Sequence, residues 1–288
     1  MMLAAHVGEG GGDPWTTWGW SPLPLLGIAV VAWCYLMGWL RLRGRGRPDL
    51  ASLPRAAAFA AGLAVIGLAL MSPLDHIGEE YLLSAHMTQH MLIGDVGPLL
   101  LTAGVLGPLA LFVVPRPLLR ALCRPRPRAV LRVLGRPWVA FVAWSVVMCG
   151  WHVPYAYDRA LENPFVHDLE HLTMIAAGLG IWMHILGNVP RIRMSHARRA
   201  GYAFGLFLVG MVVSEVLFLR DPLYSVYVEQ PVRLLGLSPG ADQIRASLIM
   251  ASEQMLTLLT ASALLMWSHV DRVAAEADAH PRVLPGPR

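Results

Sequence analysis

The run PLPLLGIAVVAWCYLMGWLRL, residues 22–42, carries no charged residue before Arg41. About 20 such residues in an α-helix, at roughly 1.5 Å per residue, cross the hydrocarbon of a bilayer. Six further apolar runs follow, at residues 55–73, 83–114, 138–153, 166–187, 200–219 and 242–268. The sequence therefore predicts an all-α integral membrane protein, a bundle of about seven transmembrane helices within residues 22–268.

Composition favours the same class. Of the 288 residues, 56% are hydrophobic and only 15% are charged, whereas soluble domains carry about 25% charged residues. All 23 basic residues are arginines in short segments between the apolar runs, which is typical of topology signals and not of a nucleic-acid surface. Cys34, Cys123 and Cys149 are widely separated, so neither a disulfide framework nor a cysteine zinc site is expected.

Two of the runs contain glycine or proline residues that are expected to interrupt a helix. The third is longer than one span needs and contains Gly97-Pro98 and Gly107-Pro108, so a kink or a break is expected there. The fourth is short, because Pro154 stops it.

The arginines alternate between the loops. Segments 41–55, 115–136 and 190–199 and the C-terminal tail hold five, seven, four and three of them. The opposite loops hold only Arg159, Arg220 and Arg233, with Arg245 near the start of the last run. Because cytoplasmic loops are enriched in arginine and lysine, we expect residues 1–21 to be an extracytoplasmic tail and residues 269–288 a cytoplasmic one.

With this topology, six of the 11 histidines fall at the outer side of the bundle. His76 lies in an outer loop, and the others lie in the outer turns of three spans: His86, His90, His152, His167 and His171. His86 and His90 are four residues apart and share a helix face, as do His167 and His171. Each pair can direct two imidazoles toward one ion, so the sequence predicts a metal or haem site here.

Acidic residues fall in the same outer layer, where a carboxylate can accept a hydrogen bond from an imidazole that binds an ion. They are Asp75, Glu79, Glu80, Asp95, Asp168, Glu170, Glu215 and Asp242. Glu253 lies in the middle of the last run, where an ionisable group is costly and often functional. Protonation of Glu253, or its pairing with Gln89 or Gln254, is the alternative interpretation.

Four methionines neighbour these histidines: Met87, Met91, Met148 and Met174. Imidazole and thioether together suit cuprous copper. Methionine also packs well between helices, so both interpretations stay open for each residue.

Several short stretches together resemble a known family. They are HMTQHML at 86–92 with GPLL at 97–100, WHVP at 151–154 with YD at 157–158, HDLEHL at 167–172, and ADQ at 241–243 leading into IM at 249–250. In this order they resemble the CtaG family of caa3-type cytochrome c oxidase assembly factors, over roughly residues 20 to 270.

The resemblance implies a non-enzymatic factor of the bacterial plasma membrane that helps a haem-copper oxidase to mature, by handling its copper. Its partners are then the oxidase subunits, an extracytoplasmic copper donor and the lipid bilayer, and no nucleic acid. Our hypothesis is that the five outer-span histidines contribute ligands to copper, preferably Cu(I), with Asp242 as a further ligand or as an orienting group.

Two other functions fit parts of the pattern. His167, Glu170 and His171 match the HxxEH motif of zinc hydrolases, in which the glutamate is the general base, although Glu170 and His171 point about 100° apart on a helix. Paired histidines can also clamp a haem, but the candidates lie near one surface and only His184 offers an inner partner. A structural partner of the oxidase that binds nothing is the remaining alternative.

Overall fold

The computed structural model describes residues 13–20, 22–189 and 194–279, and the regular secondary structure within these ranges is entirely helical. The predicted all-α class is therefore confirmed for the described chain. Residues 1–12 and 280–288 of the two predicted tails lie outside the described residues, as do Arg191 and Arg193 of the third arginine segment.

The described residues form fifteen α-helices, two π-helical segments and two short 3-10 turns. The α-helices are α1 Pro22–Arg43, α2 Leu53–Met71, α3 Pro73–Glu80, α4 Leu83–Met91, α5 Gly97–Gly104, α6 Leu109–Val113, α7 Arg116–Leu122, α8 Pro125–Leu134, α9 Pro137–Trp151, α10 Pro154–Glu162, α11 Pro164–Ile185, α12 His196–Leu219, α13 Ser225–Glu229, α14 Pro239–Gln254 and α15 Thr260–Ala279. The π-helical segments are Leu92–Val96 and Met255–Leu259, and the 3-10 turns are Pro14–Thr16 and Leu234–Gly236.

Helices lie at each of the seven predicted runs, but they differ in apolar character. Among the described residues, α1, α2, α12 and the stretch Pro239–Glu276 are long and apolar enough to cross a membrane, and α8 with α9 makes a fifth candidate if that bent pair is one span. The helices of the third and fifth runs, α4 to α5 and α11, carry the histidines and carboxylates, which lower their mean hydropathy. The count of seven spans stays a prediction.

The third run is interrupted at one of the two expected places. The chain is helical from α4 through the first π-helical segment into α5, so Gly97-Pro98 does not break it. The break comes after Gly104, in a turn where Gly107 has a φ of +72°. The last run is longer than predicted, because α15 continues to Ala279.

Prolines set the start of many helices. A proline has no N–H to leave unpaired in the first turn, and its φ is already helical. Pro137 starts α9 only two residues after Gly135 ends α8, and the two axes make an angle of 69°. As predicted, α9 stops before Pro154, which starts α10. Residues 152–153 form the turn between them, and α10 leads back toward α11.

The apolar interior has two parts. Around Phe59, Ile66 and Leu101, α2 packs against α5, and α1 packs against α2 and α6. Around Met87 and Trp182, side chains of α4, α9, α11, α12 and α14 form a second apolar cluster, in which α4 packs against α14 and α9 against α11. Many apolar side chains on the outside of the helices are exposed, including most of those on α1. This distribution is that of a membrane protein, in which lipid covers the outer faces.

We predict that Gly178→Ala destabilises the bundle where α11 crosses the first π-helical segment. A Cβ atom at position 178 would overlap the carbonyl oxygen of Gly94 and lie 2.9 Å from Pro98 Cγ. Overpacking of this kind costs about 1–3 kcal/mol, so the unfolding midpoint in detergent should fall. Gly201→Ala on α12 is the control, because a Cβ there meets nothing within 4 Å. Equal midpoints for the two variants would contradict this account of the crossing.

Candidate metal centre

The two predicted histidine pairs face each other across α4 and α11. The ring centroids of His86 and His90 are 4.2 Å apart, and those of His167 and His171 are 4.1 Å apart. Across the helices, His90 and His171 are separated by 5.4 Å between centroids. The spacing of four residues within each helix therefore brings four of the predicted ligand residues into one cluster.

A tighter group lies inside this cluster. In the described part of the chain, His86, His90, Glu170 and His171 are all buried and each offers a ligand atom within 4.8 Å of the others. Glu170 was predicted as an orienting acid or as a hydrolase base, and it stands here among the candidate ligands. Residues at i, i+3 and i+4 share a helix face, so its spacing from His167 is the signal that points to this position.

Most of the donor atoms of the group lack a protein partner. Within the described residues, both ring nitrogens of His90, both carboxylate oxygens of Glu170 and Nε2 of His171 make no hydrogen bond. The closest approach of His90 to Glu170 is 3.8 Å, from Nε2 to Oε1. Buried polar atoms are usually paired, so this concentration of unpaired nitrogen and oxygen atoms fits a group that binds a metal ion.

His86 is held from the opposite side by two tyrosines. Its Nδ1 lies 2.7 Å from the hydroxyl of Tyr157 on α10 and 3.0 Å from that of Tyr227 on α13. The two hydroxyls are 3.1 Å apart, and Tyr227 donates to the carbonyl of Gly78 at 2.7 Å. When Nδ1–H donates to this network, each proton has an acceptor and Nε2 keeps a free lone pair. A histidine that binds a metal is typically oriented in this way.

His167 extends the cluster toward the surface. Its Nδ1 lies 3.0 Å from Glu79 Oε1, and its Nε2 lies 3.4 Å from Nε2 of His86. Two nitrogens that each bind one ion at about 2.0–2.1 Å are at most about 4.2 Å apart. His167 and His86 therefore lie close enough to share an ion.

Local capping fixes where α11 and α4 begin. The side chain of Asn163 accepts hydrogen bonds from the N–H groups of Phe165 and Val166, and so sets the start of α11 just before His167. Asp242 of α14 does the same for α4 from across the bundle: its carboxylate accepts from the N–H groups of Leu83 and Ser84 at 2.6 and 3.3 Å.

Three predicted ligands lie outside the four-residue group: His167, which adjoins it, and His152 and Asp242. Asp242 also accepts a hydrogen bond from the Ser84 hydroxyl, so both of its oxygens are engaged in holding α4. His152 is buried at the end of α9, with Nδ1 2.6 Å from the carbonyl oxygen of Met148. Its Nε2 has no partner among the described residues, so His152 has a free donor atom, and the ligand role of all three residues stays a prediction.

Helix α3 contributes acidic side chains beside the cluster. Gln89 on α4 donates to the carboxylate of Asp75 and, at 3.1 Å, to the carbonyl of Ala69. Burial, reinforced by the neighbouring Glu79, raises the pKa of Asp75 to about 7. Asp75 is therefore partly protonated near neutral pH, and it is the carboxylate of Glu79, 3.0 Å from His167 Nδ1, that places negative charge beside the histidines and favours a cation there.

The fold and the site define a helical membrane protein with a buried histidine and carboxylate centre. Residues 33–272 match the family described as cytochrome c oxidase caa3 assembly factor, and the chain belongs to that family. The resemblance inferred from the short motifs is confirmed, and membership indicates a role in cytochrome c oxidase assembly. No curated protein and no solved structure gives a significant match to the chain.

We predict that Asp242→Ala destabilises the protein through α4. The substitution leaves two buried N–H groups without an acceptor, and loss of a cap costs about 0.5–2 kcal/mol. Asp242→Asn keeps an acceptor oxygen and should lose less. The unfolding midpoint in detergent is the measurement, with Glu229→Ala as an exposed acidic control. A midpoint for Asp242→Ala equal to that of Glu229→Ala would show that this cap contributes nothing.

Proposed function

We propose that this chain assists cytochrome c oxidase assembly by binding cuprous copper at the outer histidine cluster and releasing it to a nascent oxidase subunit. The observation that carries the proposal is the set of buried nitrogen and oxygen atoms of His90, Glu170 and His171 that lack partners in the described chain. Copper is here a cargo and not a resident cofactor, and the protein acts as a chaperone of the respiratory chain and not as an enzyme.

The donor set suits this task. His86, His90, His171 and Glu170 form the inner group, and His167 adds a fifth donor residue on its outer side. This exceeds the roughly four ligands that a tetrahedral ion takes, so an ion can exchange one ligand for another as it enters or leaves. Imidazole binds copper well, and the Glu170 carboxylate offsets the charge of the buried ion.

The zinc-hydrolase alternative receives less support from this arrangement. In the HxxEH mechanism the glutamate acts as a general base and is not a ligand, whereas Glu170 lies within the candidate ligand group. Zinc nevertheless accepts the same histidines, so the identity of the bound metal separates the two functions.

The proposal includes the predicted topology: seven spans in the bacterial plasma membrane, with the N-terminus outside. In that orientation the histidine cluster lies at the outer side, where an extracytoplasmic copper donor reaches it. The arginine-rich helices α7 and α8, whose basic side chains are at least partly exposed, then lie at the cytoplasmic surface. Arginine on that side is favoured by the positive-inside rule and by the anionic lipid headgroups.

We predict that the detergent-purified protein, loaded anaerobically with Cu(I), binds at least one equivalent of copper and that His86→Ala/His90→Ala abolishes this binding. Elemental analysis measures both. Glu170→Gln keeps the size of the side chain but removes its charge, so copper affinity should fall about 10- to 100-fold. His269→Ala is the control, since it lies on α15 away from the cluster.

Three results would count against copper binding at this cluster. They are stoichiometric zinc in place of copper, copper that persists in the double alanine variant, and wild-type protein that binds no metal. In the double variant, an unfolding midpoint close to that of wild type shows that any loss of copper reflects lost ligands. The Glu170→Gln variant provides the same test with a smaller change in shape.

We predict that Cys123, between α7 and α8, faces the cytoplasm. It is exposed, so in a variant that lacks Cys34 and Cys149 an impermeant maleimide should label it only after the membrane is opened. Glu229→Cys in a background without other cysteines is the matched control, because this exposed position precedes the outer start of α14. Labelling of Cys123 in intact spheroplasts would reverse the orientation and with it the side from which copper arrives.

A further inference from the structure

A small cavity lies next to the histidine cluster, and His90 is among its lining residues. Its volume is about 30 Å³, enough for about two water-sized molecules. His90 lines both the cluster and the cavity, so the two spaces share a side chain. Any ion bound by the inner group is therefore one imidazole away from this cavity.

Three methionines from three different helices line the cavity within the described chain. Met91 comes from α4, Met148 from α9 and Met174 from α11, and each is buried. Met87, which is also next to the histidines in sequence, packs in the apolar interior and does not line the cavity. The structure thus separates methionines that the sequence left equivalent.

The cavity wall also holds polar side chains without partners. Gln254 is 1% exposed, and both atoms of its amide lack a hydrogen bond to the described residues. The same holds for both nitrogens of His90, whereas Glu253 on the same wall lies beside the carboxyl group of Asp95. Unsatisfied polar atoms are costly in an interior that water does not reach, so their convergence on one cavity indicates a polar or ionic occupant.

Two departures from α-helical geometry flank the cavity. Asp95 lies in the first π-helical segment and accepts a hydrogen bond of 2.6 Å from Thr257 in the second. Trp182 also donates to Asp95. These contacts hold one carboxylate beside Glu253, since both residues line the cavity. Short π-helical segments are frequent at functional sites, and here they bring the carboxyl groups of Asp95 and Glu253 next to sulfur and imidazole.

We propose that this cavity is a second cuprous site, in which His90 and the thioethers of Met91, Met148 and Met174 hold Cu(I) and Glu253 offsets its charge. The inference rests on the proposed function, because copper reaches the cavity by way of the histidine cluster. Thioether and imidazole are neutral ligands that select Cu(I), so a nearby carboxylate is needed to balance the buried positive charge. No electron transfer is involved: the ion passes between two ligand sets that share His90. The neutral ring of His90 has one lone pair and binds one ion at a time, so when both sites are filled the inner ion is held by His86, His171 and Glu170.

The test is a Cu(I) titration of the full-length protein in detergent, with a chromogenic Cu(I) chelator as competitor and X-ray absorption of the bound copper. We expect two equivalents in wild type, with sulfur among the ligands. Met148→Leu/Met174→Leu should lose the second equivalent and its sulfur signal, and should keep the first. Met87→Leu is the matched control and should bind as wild type does. Leucine is close to methionine in volume, so folding is preserved.

Glu253→Gln tests the charge separately. It should weaken the second equivalent by at least about tenfold, or about 1.4 kcal/mol, while sulfur remains among its ligands.

Four outcomes would overturn the second site. The first is a wild-type protein that binds a single equivalent of copper with only nitrogen and oxygen ligands. The second is a methionine double variant that binds copper as wild type does. Either result leaves copper binding at the histidines intact. An unchanged second equivalent in Glu253→Gln would remove the charge argument that the site requires. Wild type that binds no copper would overturn the second site together with the proposed function.

Discussion

The hydrogen bonds between Nδ1 of His86 and the hydroxyls of Tyr157 and Tyr227 are the contacts on which the rest of the site depends. They join α4 to α10 and α13, and through the Gly78 carbonyl they reach α3 as well. Lipid offers no partner to a buried polar group, so His86 has to find one inside the protein. Once the ring is fixed from that side, its other nitrogen can only face the remaining histidines. His90, His167 and His171 can form one binding site with His86 because the ring of His86 is fixed among them.

The same demand for partners separates structural polar groups from functional ones. Both polar atoms of the Gln243 amide are hydrogen-bonded: the nitrogen donates to the carbonyls of Leu217 and Arg220, and the oxygen accepts from the N–H of Leu223. Both carboxylate oxygens of Asp242 likewise accept hydrogen bonds at the start of α4. Such residues connect helix ends and have no free polar atom with which to bind a ligand. Unpaired buried atoms of the described residues instead include those of His90, Glu170 and His171 in the histidine cluster and those of Gln254 in the wall of the neighbouring cavity. This division is expected if those two places exchange an ion.

The sequence predicted the features that depend on local periodicity, which are the helices and the histidine pairs. It did not predict the contacts between residues that are distant along the chain. Apolar runs of span length located the helices, and spacings of four residues placed two histidine pairs on facing sides of α4 and α11. No local pattern says that Tyr227, 141 residues beyond His86, contacts it, or that Asp242 caps α4 instead of joining the other acids. The two π-helical segments lie within apolar runs, and the sequence predicted a kink or a break only at the Gly-Pro pairs of the third run, not at Leu92–Val96. Polar residues also lower the mean hydropathy of the two runs that form the site. This is why fewer helices qualify as candidate spans than there are predicted apolar runs.

If the cluster binds copper as proposed, the depth of each candidate ligand defines an order of binding. The side chain of Glu79 is 37% exposed and that of His167 is 11% exposed, whereas those of His90 and Glu170 are fully buried. An ion that arrives over α3 therefore meets the pair of Glu79 and His167 before it meets the inner group. Because Nε2 of His167 lies 3.4 Å from Nε2 of His86, the ion can pass to the inner histidines without leaving nitrogen coordination. The ligands become more enclosed along this route, while α3 and its carboxylates keep a negative potential at the entrance. A carrier that has to both accept and release copper needs such a graded route, since a single closed site would hold the ion too firmly to release it.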